Sequence, residues 1–237
     1  MMTTNTENRL SAEECRRRIA YLSEFILPER KATLEKAVAS RTPYMTLLAE
    51  NMFHPQNASA LVRHCEAFGV QNLHTVETMC TFNPNVNIVR GTDKWIDIHK
   101  HNSTAEALAS LRKEGYRIIA TTPHRKSCTP ETFNVKQGKF AIVMGTEKTG
   151  ISDEVFAQAD EFLQIPMCGM VESLNVSACA AIIVYMLSER IRTEVEGWQY
   201  DDDEQAQILY RWMVDSIRDS EYLLRRGGFL EENENCK

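Results

Sequence analysis

The hydrophobic positions divide this chain into a helical start, a long alternating middle and a helical end. Between residues 11 and 40, Ile19, Leu22, Phe25 and Ile26 recur three and four apart, the spacing of one apolar helix face. One or two amphipathic helices are predicted there, with Pro28 breaking or restarting the turn. From residue 42 short apolar runs alternate with helical patterns. Residues 44–49 (YMTLLA), 72–76, 94–99 (KWIDIH, period two), 117–122 (RIIATT), 140–144 (FAIVM) and 162–165 (FLQI) read as strands. Residues 57–68, 103–114, 153–159 and 175–191 read as helices, with Gly69 and Gly115 as stops. Ser103 caps the second of these and Glu106 completes its capping box, while Ser152 caps the third. Residues 201–226 form a further helical stretch, opened by Asp201–Glu204, whose charge suits the positive end of a helix. The alternation specifies an α/β domain with a mostly parallel sheet and flanking helices, plus short helical extensions at both ends.

Composition narrows the class. The 237 residues are 43% hydrophobic and 25% charged, ordinary for a globular protein. No stretch approaches the roughly 18 apolar residues of a membrane span, and the start has no apolar signal-peptide core, so a cytoplasmic location is expected. The seven cysteines form no CxxC pair, so neither a metal site nor a disulfide framework is expected. A net charge of −6 weighs against nucleic acid as a partner, but most of the acidity is local. Residues 1–41 carry eight Lys/Arg against six Asp/Glu, residues 42–188 twelve against fourteen, and residues 189–237 seven against thirteen. Arg16-Arg17-Arg18, Arg30-Lys31, Arg125-Lys126 and Arg225-Arg226 are either phosphate contacts or solvated helix faces.

Three segments carry candidate chemistry. In HPQNASALVRHCEAFGV (54–70) a strand gives way to a helix near Asn57, where Asn57 and Ser59 can cap backbone N–H groups. Arg63 follows about two turns later among apolar neighbours and needs a partner, either a carboxylate or a phosphate. In FAIVMGTEKTGIS (140–152) a strand runs into a loop with Gly145 and Gly150, which lets backbone approach a ligand at the carboxyl end of a sheet. The loop has neither P-loop nor GxGxxG order. In IPMCGMVESLNVSACAAIIVYML (165–187) an apolar loop leads into a helix rich in small residues, suited to a purine and a thioether or simply to a buried turn. His54, His64, His74, His99, His101 and His124 form no arguable triad or metal set and read as structural or solvated.

The combined pattern N-x5-R, MG-x-E-x-x-G and IPM-x-G-x-x-x-SLN-x-S, spread over residues 42–190, resembles the SpoU/TrmH family of SPOUT RNA 2′-O-ribose methyltransferases. The resemblance implies a trefoil knot at the C-terminal part of the sheet, a homodimer with its active site at the interface, and S-adenosylmethionine as cofactor. Carried over by motif, Thr121, Met144, Gly145, Ile165, Met170 and Leu174 would bind the cofactor. Asn57, Arg63, Glu147, Ser173 and Asn175 would form the catalytic cluster, with Arg63 acting on the ribose 2′-hydroxyl alongside the partner subunit's cofactor. The motif wording and the short extensions, 1–41 and 191–237, are most like the tRNA branch that methylates guanosine 18 of the D loop. Methylation of rRNA or of another tRNA position, or an RNA-binding paralogue without activity, is the alternative. Residues 1–41 are the preferred RNA contact, because the C-terminal extension is acidic. A dinucleotide-dependent oxidoreductase would need a glycine fingerprint after the first strand, and HPQNAS has none.

Overall fold

The computed structural model describes residues 10–122, 125, 127–146 and 149–231. In chain order come α1 (Ala12–Leu22), α2 (Pro28–Ala39), β1 (Met45–Glu50), α3 (Pro55–Phe68), β2 (Asn72–Val76) and the one-turn α4 (Val86–Val89). Then follow β3 (Asp97–His101), α5 (Thr104–Lys113), β4 (Arg117–Thr121), β5 (Phe140–Met144), α6 (Asp153–Gln158) and β6 (Glu161–Leu163). α7 (Val176–Glu194), α8 (Asp202–Ser216) and α9 (Ser220–Arg226) complete the order. Contacts divide the chain into two units, one drawn from residues up to Arg41 and from Tyr200 onward, the other from Thr42–Gln199.

The first unit is helical. Pro28 has no N–H to lose at the first position of α2, so the helix restarts there rather than running through from α1. Asp201 caps α8 through the amides of Asp203 and Glu204, and Glu204 returns the bond in a complete capping box. The helical stretch expected over 201–226 is two helices, α8 and α9. Ile217 is extended and Asp219 is left-handed at φ 55°, which ends one helix before the next begins. Arg18 is buried, and it donates to Glu14 at 2.8 Å, to the Tyr210 hydroxyl at 3.1 Å and to the Phe229 carbonyl at 2.8 Å. Arg16 and Arg17 pair with Asp203 and Glu14, so the basic triplet is already matched inside its own unit.

The second unit is built on one six-stranded sheet in the order β3-β2-β1-β5-β4-β6, with every pairing parallel. The period of two in each strand sorts its side chains onto two covered faces. Phe140, Ile142 and Met144 face one way with Met45, Leu47 and Ile119, and join Leu61, Val62 and Cys65 of α3 and Ile183, Val184 and Leu187 of α7. Ala141 and Val143 face the other way with Leu48, Ile118 and Ala120, against Ala107, Leu108 and Leu111 of α5 and Val155 of α6. The chain leaves β1 toward β2 on one side and later fills β5, β4 and β6 on the other. The loops after β1 and β5 therefore emerge side by side at the carboxyl edge, a topological switch point.

Several boundaries differ from the sequence reading, each for a local reason. The strand expected at 94–99 is 97–101, because Thr92–Lys94 forms a 3-10 turn and pairing with β2 starts at Asn72↔Asp97. The helix expected from 57 begins at Pro55, so Asn57 and Ser59 lie within it rather than capping it. His54 is the cap residue, and its side chain makes no capping hydrogen bond. The Ser59 hydroxyl instead donates to the Pro55 carbonyl at 2.6 Å. Ser103 caps α5 through the Glu106 amide, but the Glu106 carboxylate reaches past it to the Asn102 amide at 2.9 Å. Gly69 stops α3 as expected, at φ 80°, where a side chain would be strained.

Candidate active site

A cleft of about 550 Å³ lies over the carboxyl edge of the sheet. Its wall comes from the ends of three strands: Thr121 and Thr122 after β4, Met144, Gly145 and Thr146 after β5, and Leu163, Gln164 and Ile165 after β6. The start of α7 closes it with Ser173, Leu174, Asn175, Val176 and Cys179. Parallel strands end with their carbonyls and loop amides pointing into this space, so the cleft joins apolar walls to backbone hydrogen-bonding groups.

Two local devices shape it. The loop after β5 is pinched shut by Thr146 and Gly150, whose amides donate to each other's carbonyls at 2.9 and 3.1 Å. A Cβ on Gly145 would fall on the Gly150 carbonyl group and the Ile151 nitrogen, so only glycine permits this crossing. The second device is Asn175, whose Oδ1 accepts from the amides of Ser177 and Ala178 and so caps α7. Its Nδ2 donates to Asn57 Oδ1 at 3.2 Å, which ties the third motif to the first across 118 residues.

Thr121, Met144, Gly145, Ile165 and Leu174 line the cleft, as do Ser173 and Asn175. Met170 does not: it is fully exposed at 103%, and Met167 takes the place in the wall. Neither methionine differs from the other in sequence context enough to tell them apart. Asn57 is buried beside Asn175. Arg63 is exposed and lies outside the cleft wall, donating to the Ile88 carbonyl at 2.8 Å. Within the chain it is held by this backbone oxygen at the end of α4 rather than by a carboxylate. The apolar residues around it in sequence lie on a different face of α3, since Leu61, Val62 and Cys65 are buried while Arg63 and Ala67 are not. Glu147, with Lys148 and His124, lies outside the described residues. Sequence reasoning missed Thr122, Thr146, Thr149, Gln164 and Cys179, whose one signal is their place just beyond a strand or one turn into α7.

Electrostatics leave the cleft without a thiolate. Burial pushes the Cys179 thiol up to about 11, so it stays neutral and serves as wall. Burial also lowers His64 on α3, against a hydrogen bond to the Ser177 backbone that raises it, and the Arg63 charge lowers it further. An open parallel sheet carrying such a cleft at the carboxyl ends of β5, β4 and β6 is the architecture of an α/β domain that takes a small ligand there.

Residues 44–185 match the SpoU rRNA Methylase family, and the chain belongs to it. It is 33% identical to a tRNA (guanosine(18)-2′-O)-methyltransferase of Borreliella burgdorferi, over 87% of this chain and 94% of that one. A protein of the same description from Thermus thermophilus is 34% identical over 77% of this chain and 92% of its own length. Among solved structures, the A. aeolicus TrmH/SpoU tRNA modifying enzyme superposes with a TM-score of 0.70 at 27% identity, covering 81% of this chain and 98% of that one.

Proposed function

We infer that this protein transfers the methyl group of S-adenosylmethionine to the ribose 2′-hydroxyl of guanosine 18 in the tRNA D loop. The observation that carries the reading is the cleft itself. Its walls are the second and third motifs, and Asn175 at its edge bonds to Asn57 of the first. The Borreliella burgdorferi and Thermus thermophilus relatives, which match 87% and 77% of this chain, are named for that reaction.

The residues present suit the cofactor. Met144, Leu163, Ile165 and Leu174 offer apolar surface for an adenine and a thioether, and Gly145 brings backbone close enough for a ligand to meet amides directly. Bound there, S-adenosylmethionine supplies an electrophilic methyl group. The chain's own task is alignment of the acceptor oxygen and stabilisation of its developing charge. A guanidinium donates and does not accept protons, so in this reading Arg63 holds a phosphate of the RNA and stabilises the alkoxide as it forms. Its exposure, outside the wall of its own cleft, favours service to the cleft of a second copy. A homodimer is also supported by the apolar side chains that the approach to α7 and its outer face leave open, Val171, Leu174, Ile182 and Tyr185. A trefoil knot is supported by the order β5-β4-β6 and by the two loops after β5 and β6 sharing one cleft, with Ala178, Ala180 and Ala181 allowing close passage. Arg16, Arg17, Arg30 and Lys31 of the helical unit are the proposed RNA contacts, since exposed ion pairs are weak and exchange readily for phosphate. A tRNA substrate favours a cytoplasmic location; among the described residues no helix is long and apolar enough to cross a membrane.

The reading is tested with calorimetry and with Arg63→Lys. The wild-type protein is expected to bind S-adenosylmethionine, and the variant to bind it equally while kcat falls by about a hundredfold or more, because lysine loses the planar fork. Near-normal turnover in Arg63→Lys would remove the guanidinium from the mechanism, and a wild-type protein that binds no cofactor would remove the reaction.

A further inference from the structure

Glu50 is the last residue of β1 and is only 2% exposed. A carboxylate buried at the edge of a sheet needs donors, and three surround it. The Thr104 hydroxyl donates to Oε1 at 2.6 Å, the Ser152 hydroxyl to the same oxygen at 2.7 Å, and the Ser152 amide to Oε2 at 2.9 Å. Thr104 is the first residue of α5 and Ser152 is the cap of α6. One side chain therefore fastens the end of the central strand to the starts of two helices.

The position of these partners matters for the cleft. Ser152 closes the loop whose residues Thr146, Thr149, Gly150 and Ile151 form its wall. On the other side, Asn51 follows Glu50 directly and is left-handed at φ 50°. Its Oδ1 accepts from the Thr78 hydroxyl at 3.0 Å and the Met79 amide at 2.9 Å, which fixes the start of the segment leading to Asn57. We propose that Glu50 is a positioning residue that sets the described parts of the cofactor-side loop, 145–146 and 149–152, against the acceptor-side segment, 51–57. The proposal rests on the methyl-transfer reading. In-line transfer is sensitive to displacements of about 1 Å, so a fixed spacing between the loops that hold donor and acceptor is a requirement of the chemistry.

Reach, not charge, is what the clamp needs. Glu50→Asp keeps the charge but withdraws the carboxylate by one methylene from Ser152. Glu50→Gln keeps a carbonyl oxygen for the Ser152 amide and turns an NH2 toward the two hydroxyl oxygens, which accept. The test combines amide hydrogen exchange of the free protein with calorimetry and steady-state kinetics. Glu50→Asp is expected to speed exchange at Gly150 and Ser152, leave β5 amides unchanged, and weaken S-adenosylmethionine binding about tenfold, with KM for tRNA within about twofold. Glu50→Gln is expected to stay within about threefold of wild type in each. Wild-type exchange in Glu50→Asp, or equal acceleration through β5, would overturn the proposal. So would wild-type cofactor affinity in that variant. Loop exchange that rises in Glu50→Asp while the wild-type protein binds no cofactor would support the clamp and sink the methyl-transfer reading instead.

Discussion

Gly145→Ala is expected to weaken S-adenosylmethionine binding by about a hundredfold or more and to abolish measurable methyl transfer. The added carbon would overlap the Gly150 carbonyl group and the Ile151 nitrogen, which are backbone and cannot swing aside as a side chain would. Relief requires the pinched loop to open, and with it the reciprocal bonds between Thr146 and Gly150. That loop is one wall of the cleft, so the distortion falls on the ligand-binding surface. The overpacking itself costs roughly 1–3 kcal/mol of stability, enough to lower the melting temperature by several degrees in a domain of this size. Gly169→Ala is the matched control. A Cβ there meets nothing within 4 Å, and the stability of that variant should equal that of wild type. Calorimetry and thermal melts on both variants check the pair, and wild-type binding by Gly145→Ala would contradict the geometry of the crossing.

Acid is expected to destabilise the second unit through His74. This ring is buried on β2 and stacks against His99 and His101 of β3, with centroids 4.7 and 5.3 Å away. Its Nδ1 lies 3.0 Å from His101 Nε2, a bond that needs one hydrogen between the two ring nitrogens. Burial, and then repulsion from His99 and His101, pushes His74 down from 6.5 to about 3. The unfolded chain takes up a proton near pH 6.5 and the folded chain refuses it until about pH 3. Its stabilising contribution is therefore complete above pH 6.5 and is lost as the pH falls through that window. The slope is about 1.4 kcal/mol per pH unit, or about 2 kcal/mol between neutrality and pH 5. His101 and His64 are lowered as well, chiefly by burial, and act with the same sign. Urea titrations across this range should show the loss, and His74→Leu should remove much of it. An unchanged pH slope in that variant would show that the buried ring is not the group that titrates.

Much of the fold was legible because burial on both faces leaves a plain signature. Phe140–Met144 is apolar throughout and forms a central strand with the expected limits. Ser103 and Ser152 cap the helices that follow them, as their spacing indicated. The one-turn helix Val86–Val89 was not legible, since its place depends on Ser59 accepting from the Asn85 amide rather than on any period of its own. The candidate site was legible as motifs and illegible as geometry. Leu174 and Ile165 could be assigned to a wall, but the choice between Met167 and Met170 depends on which way an irregular loop turns. Arg63 looked enclosed because its neighbours in sequence are apolar, while the helical period places it on the open side. Glu50 reads only as the polar end of a strand. Its burial appears when Thr104 and Ser152, which lie 54 and 102 residues away, close over it.

The ribose 2′-oxygen of guanosine 18 is the expected methyl acceptor. Two unmodified tRNA transcripts, identical except that one carries a 2′-deoxyguanosine at position 18, would be incubated with the protein and labelled S-adenosylmethionine. Label is expected at guanosine 18 of the first transcript and nowhere in the second. Equal labelling of both, or label in the first at any other nucleotide, would contradict it.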